Sequence, residues 1–446
     1  PAGESGRVFD TVTPEAFALA EAINDRGRLS RTCVMAIDAA NRYGSATMWG
    51  TPEVRRWAER ADEYAEPDTT GRVWADLFKG VASTADNNPT EARAFVVRAL
   101  ELARRLDDQE TLFGASRAFL VIASPPRHEE ERWRLVTEME DRPHVGVEGR
   151  TLGSWLQVSA SVYFQWGERD RAEAQSEEFD QVAQRTGDAE LLVRSLMNPV
   201  ILAFLDGRLE EALSAIERLG ARADETGLQA GRLFALVLGF RPLLHVGRAE
   251  ESITNMDEAR RLSGGFEHPV ILVGSALARA HLGPSDEAGD SLRRLLAEHP
   301  FFLEDENVPT YLLVLLLETA VLIEDRELCS VLAQRLAPVS FLSTEGSVSS
   351  NGTCPARHLG AAAALLGEPD KARGYYHEAL EAAGKIRFRP EIALTRLQLA
   401  ELLLDHYPAD RAEALEHLDF AIGEFRDMKM QPSLERALSH REILGA

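Results

Sequence analysis

At 446 residues the chain is too long to be organised around one compact core, so it must either divide into domains or repeat. Its 45% hydrophobic and 27% charged residues are those of an ordered chain and exclude extended disorder. A formal charge of −23, from 49 Lys+Arg against 72 Asp+Glu, speaks against direct nucleic-acid or anionic-lipid binding, and no basic run offsets it.

In chain order, residues 1–12 read as a frayed lead-in, followed by helices over Pro14–Asn24 and Leu29–Tyr43. Gly44 to Gly50 reads as a loop, and Pro52 opens a helix that sets Val54, Trp57, Ala58 and Ala61 on one face. Gly71–Ala85 and Pro89–Arg105 form a further pair. Around residue 127, SPPRHEEERW predicts a proline turn and a helix through Met139. From Leu152 the pairs are regular: 152–165 with 169–185, 188–205 with 208–224, 228–246 with 248–262, 268–282 with 285–298, and 309–323 with 325–337. After the Ser/Gly-rich FLSTEGSVSSNGT come 356–366 with 369–384, 389–405 with 410–427, and a last helix from Pro432. No alternating run bounded by hairpin turns stands out, so essentially no sheet is expected. The organisation predicted is an irregular helical segment over 1–85, repeats over 86–340, a connector over 341–355 and C-terminal repeats over 356–446.

The pairs repeat one signature. In AFLDGRLEEAL, Gly207 closes one helix and Ala212 sits five residues later inside the next. The same spacing recurs at Gly167/Ala172, Gly247/Ser252, Gly283/Ala288 and Gly367/Ala372, with a period of 40 residues from 167 to 207 and from 207 to 247. Asn87 takes the glycine's place earlier, and Glu324/Cys329 is a degenerate unit. A period of this size predicts a helical solenoid in which each pair buries its apolar face against its neighbours.

In ALLGEPDKARGYYHEAL, Gly367, Ala372, Tyr376 and Ala379 match the turn, small, aromatic and small positions of the tetratricopeptide repeat, with Leu359 and Gly360 in the preceding helix. The longer unit resembles the MalT-like helical region of bacterial signalling proteins. HLGAAAALLGEPDKARGYYHEAL, RFRPEIALTRLQLAELLL and DRAEALEHLDFAIGEFRDMKM resemble the carboxy-terminal repeats of large multidomain ATPases, some cyclase-linked and others carrying a LuxR-type DNA-binding domain. This resemblance implies an all-α, right-handed superhelical solenoid of antiparallel pairs. It implies a non-catalytic sensor or scaffold region that binds a protein, peptide or ligand and regulates an attached ATPase, cyclase or transcription regulator. A freestanding adaptor is the alternative, and an enzyme with an unrecognised site a further one. The opening PAGESG, without Met, reads as a piece cut from something longer.

In such repeats the first helices line the concave surface. Alignment on the turn glycine places Gln157 and Ser161, then Arg194 and Asn198, then Arg241 there, where Arg and Asn suit a carboxylate or phosphate; a merely solvated groove is the other reading. No catalytic, cofactor or metal site is expected. Gly384-Lys385-Ile386 is not a P-loop, and His128-Glu129 and His377-Glu378 lack the second His of a zinc pair. Cys354 and His358 share helical spacing without a third ligand. Carboxylates such as those of EDENVP and HEEER are expected at helix starts, complementing the dipole. Trp57, Trp74, Trp133, Trp155 and Trp166 are expected in the core or seams. The 13-residue apolar run Tyr311–Ile323 contains Glu318 and reads as a buried helix, not a membrane span. Three scattered cysteines and no signal peptide favour the cytoplasm.

Overall fold

A computed structural model describes residues 2–44, 48–49, 51–122, 124–263, 268–283, 286–344 and 352–445. The predicted loop between Gly44 and Gly50 and the centre of the predicted connector lie largely outside them. The chain is an all-α superhelical solenoid of antiparallel, tetratricopeptide-like helix pairs, without a strand among the described residues. No helix among these residues is long and apolar enough to cross a membrane.

The turns follow from backbone conformation. Left-handed residues stand at Asn87 (φ 54°), Asp107 (51°), Gly167 (87°), Gly187 (63°), Gly207 (73°), Gly227 (69°) and Gly247 (83°). From 167 to 247 one falls every 20 residues, alternately closing a turn within a pair and a turn between pairs. The degenerate unit keeps the geometry without glycine, because Glu324 takes φ 58°. Inside the unit at 355–385, a Cβ on Gly360 would lie 2.6 Å from the Tyr376 ring, so the bare backbone gives the aromatic its seat. Ala372 and Ala379 are buried beside it.

Two departures from the predicted elements have identifiable causes. The lead-in is helical rather than frayed: Ala2–Arg7, a π-helical Val8–Val12 and Thr13–Ala22 run on without a break. Buried Phe9 and Phe17 anchor it, Phe17 meeting the Trp57 ring edge-on at 5.5 Å. The predicted helices 188–205 and 228–246 are each split, into Ala189–Ser195 with Met197–Leu205 and Gln229–Leu238 with Phe240–His245. Pro199 and Pro242 offer no N–H to the carbonyls of Ser195 and Leu238, and each helix kinks one turn before its proline.

The superhelix closes on itself. Thr90 donates its backbone N–H and hydroxyl to Asp305, at 3.3 and 2.8 Å. Arg127 bridges Glu306 and Asn307, and Thr310 N–H donates to the Ser124 carbonyl at 2.8 Å. Farther along, Arg169 donates to the Ile386 carbonyl (3.0 Å), Arg387 pairs with Asp170 (3.1 Å) and Lys429 with Glu210 (2.5 Å). These last partners lie 217 to 219 residues apart, so each superhelical turn rests on the one that follows. The EDENVP carboxylates therefore do more than face a helix dipole: Asp305 and Glu306 fasten two turns together.

Polar side chains fill the axis of the C-terminal half. Arg241, 2% exposed, forms a two-pronged pair with Glu318 at 3.1 and 2.6 Å. Arg357 does the same with Glu391, and His358 bonds the Thr353 hydroxyl at 2.7 Å, which occupies the imidazole of the Cys354/His358 pair. Burial, with Arg357 beside it, pushes His358 down to about 3, and burial with Arg241 and Arg357 holds His245 well below its ordinary value. Both imidazoles are neutral in the folded chain and charge on unfolding below about pH 6.5. Because the unfolded chain binds more protons there, stability falls as pH drops, by about 1.4 kcal/mol per pH unit for each histidine. Burial likewise pushes His268 down to about 4, so denaturant midpoints below about pH 6.5 should fall with these three protons taken up on unfolding, and His358→Gln should reduce the slope by one proton, about 1.4 kcal/mol per pH unit.

Candidate functional site

The closed superhelix leaves a lumen of about 500 Å³, walled by residues between Asp38 and Thr344. Helix Thr70–Ala85 contributes Trp74, Leu77, Phe78 and Val81, and helix Gln109–Ile122 contributes Gly114, Arg117 and Val121. Helix Gly149–Gln165 presents the stripe Arg150, Ser154, Val158, Ser161 and Gln165, at helical spacing. Glu190 and Arg194 from Ala189–Ser195, with Phe234 and Val237 from Gln229–Leu238, complete the wall that the argument needs.

Arg194 donates to the Gln157 side-chain oxygen at 2.8 Å and to the Ser154 hydroxyl at 3.0 Å, and lies 3.5 Å from Glu190. Arg150 pairs with Glu190 and stands 4.0 Å from Asp38, which also pairs with Arg42 at 2.9 Å. Arg117 is half-buried and has no hydrogen bond or ion pair among the described residues; its Nε is enclosed without an acceptor. Burial, then the like charges of Arg194 and Arg150, push it down to about 10, and burial does the same to Arg194. All three guanidiniums stay charged at neutral pH. At the floor, Arg132 is neutralised by Glu129 and bonded to Gln165 at 2.9 Å.

The residues singled out from the sequence are distributed as follows. Gln157 and Arg194 meet, Ser161 lines the lumen with its hydroxyl unsatisfied, and Arg194 lies on the wall. Asn198 is turned away, donating to Asp180 (2.7 Å) and the Ser176 carbonyl (3.2 Å). Arg241 lies outside this cavity, in its ion pair with Glu318. Of the tryptophans, Trp57 and Trp155 are buried, while Trp74 lies partly on the lumen wall.

Arg117 and Arg150 were not identified from the sequence, although a signal for them exists. Residues one period apart touch: Arg194 meets Ser154, Gln157 meets Met197 and Arg150 meets Glu190, each 40 residues away. Arg117 lies 40 residues before Gln157 and so holds the same place one unit earlier. The unit at 127 has no turn glycine to align on, which hid that equivalence.

No protein-family model and no curated protein matches the sequence. Among solved structures, the chain is similar to the APC/C hetero-tetramer Cut9–Hcn1, at 13% identity and a TM-score of 0.42, over 97% of this chain and 82% of that one. It is similar to a Rap protein complexed with competence and sporulation factor, at 12% and 0.40, over 84% and 97%. It is also similar to a signal-transduction ATPase with a tetratricopeptide-repeat sensor from Pyrococcus horikoshii, at 11% and 0.34, over 89% of this chain and 55% of that one.

Proposed function

We propose that this chain is the sensing and interaction region of a signalling protein, binding a ligand or peptide inside its superhelix and regulating an attached ATPase. The observation that carries this reading is the lumen: cationic within an acidic protein, half walled by apolar side chains, and closed by contacts between superhelical turns. The polar contacts among them are mostly exposed pairs, each worth about 0–1 kcal/mol, while buried apolar contacts such as Phe204 against Phe388 join the same turns. An occupant would act by preferring one curvature over another, shifting the population by no more than that difference in affinity. The region works without a cofactor and carries no catalysis of its own. The resemblance of the last hundred residues to repeats of multidomain ATPases supports the attachment, and a cyclase or LuxR-type module fits the same role.

Reading the coding DNA on both sides of the segment tests the attachment. An in-frame P-loop module is the expected result. A start codon directly before Pro1 with a stop directly after Ala446 would make the chain a freestanding adaptor instead.

A further inference from the structure

We propose that the lumen is a binding site for a small amphipathic anion, whose carboxylate or phosphate-monoester head pairs with Arg117 while its apolar body lies against Trp74, Phe78, Val121 and Phe234. The inference rests on the reading of the lumen as the sensing site and adds the chemistry of its occupant.

The charges around the lumen are unbalanced. Arg132 is matched by Glu129, and Arg150 and Arg194 share Glu190. Asp38 lies at the edge of this group and is shared with Arg42 outside it. Arg117 is left over, and its charged neighbours are two more arginines. An uncompensated guanidinium shielded from bulk water is costly unless an anion reaches it. The orphaned atoms point the same way: Arg117 Nε, Arg150 Nη1 and Ser161 Oγ are enclosed without acceptor or donor, and all three residues line this one cavity. A planar fork with open donors is matched by an oxyanion, with the Ser161 hydroxyl as a further donor.

The apolar wall adjoins the cation. The Trp74 indole lies over Gly114, where a Cβ would come within 2.8 Å of it, and Gly114 is three residues before Arg117 on the same helix face. Val121 is one turn beyond Arg117 and 43% exposed, although it belongs to a helix that is otherwise largely buried. Phe78, one turn after Trp74, stacks near it at 6.2 Å. A site of about 500 Å³ with one charged end and an apolar remainder suits a small ligand of that build.

Titration calorimetry of the full chain with decanoate, decyl phosphate, decanol and decylammonium tests this. Decanoate or decyl phosphate should bind, the tighter of the two naming the head group. Decanol should bind at least tenfold more weakly and decylammonium not at all. Arg117→Gln should weaken the better anion at least tenfold and at the same time raise the melting temperature, because it removes a charge that no described residue balances. A merely structural arginine would lower that temperature when replaced. Val121→Trp, which fills the apolar part without touching the charge, should also abolish binding and serves if Arg117→Gln does not fold. Equal affinity for decanol and decanoate, no heat from either anion, or binding unchanged in these variants would overturn the proposal. An upstream ATPase found together with such a failure would retain the regulatory reading, whereas anion binding by a freestanding chain would retain this site alone.

Discussion

Replacing Arg241 by Met should lower the unfolding free energy by about 3–5 kcal/mol, the range observed when one partner of a buried ion pair is removed. The side chain is 2% exposed and its two nitrogens clasp both oxygens of Glu318. Burial by itself raises the Glu318 pKa; Arg241 outweighs it and holds the carboxyl well below its ordinary range. Without Arg241 that carboxylate must stay charged in a dry environment or take up a proton. The folded-state pKa then rises above the unfolded value, so the variant's deficit should be larger at pH 8 than at pH 5. The double variant Arg241→Met/Glu318→Leu should recover most of the loss, since it removes both charges at once. Denaturant midpoints of the wild type, both single variants and the double variant at two pH values decide this. A single variant as stable as the wild type would show that the pair contributes nothing. The ion pair also means that charge reversal at Arg241 would report on folding, not on ligand binding.

Gly207→Ala should cost about 2–4 kcal/mol, well above the same change at Gly187 or Gly227. All three glycines have φ between 63° and 73°, which costs an L residue about 1–2 kcal/mol. Around Gly187 and Gly227 nothing lies within 4 Å of an added Cβ, so that term stands alone. At Gly207 the Cβ would run into Met428 Sδ and Cγ, across two superhelical turns; Met428 is flexible but buried, and displacing it adds up to about 1–3 kcal/mol. Shortening the obstacle, as Met428→Ala in the Gly207→Ala background, should recover the added part. Melting curves for the three glycine variants and this double variant provide the comparison. Equal losses at 187, 207 and 227 would mean that the turns do not press together at Gly207.

The contrast among these glycines shows what the sequence conveyed. The 40-residue recurrence of glycine and a small residue five positions on was sufficient to predict paired helices and a solenoid, because those features are local. A tight turn needs a left-handed residue, and a close helix pair needs a small one. The same glycines also receive the next superhelical turn, with Lys385 against Gly167, Met428 against Gly207 and Pro432 against Gly247. No local pattern announces that role. Contacts between residues 217 to 219 apart depend on the accumulated rotation of about five units, and small deviations at each joint decide where the turns meet.

The candidate site divides in the same way. The placement of Ser161 and Arg194 on the lumen wall was legible because inner-face positions recur with the turn glycine, whereas Gln157 reaches the lumen only through its bond to Arg194. Asn198 and Arg241 occupy equally plausible positions, yet their partners, Asp180 and Glu318, lie on other helices and commit them to the fold. The proline kinks at 199 and 242 were readable as residues but not as consequences, since a proline's effect depends on where the helix would have run.

The sequence by itself determined the helix pairs, their turns and the repetition that stacks them, because each is fixed by residues within one or two units. Only the tertiary structure decided that the superhelix closes, that a lumen remains, and that Arg117 stands in it without a counter-ion among the described residues. Those outcomes follow from summed geometry over several units and from which charges meet across them, and neither quantity is local to any stretch of chain.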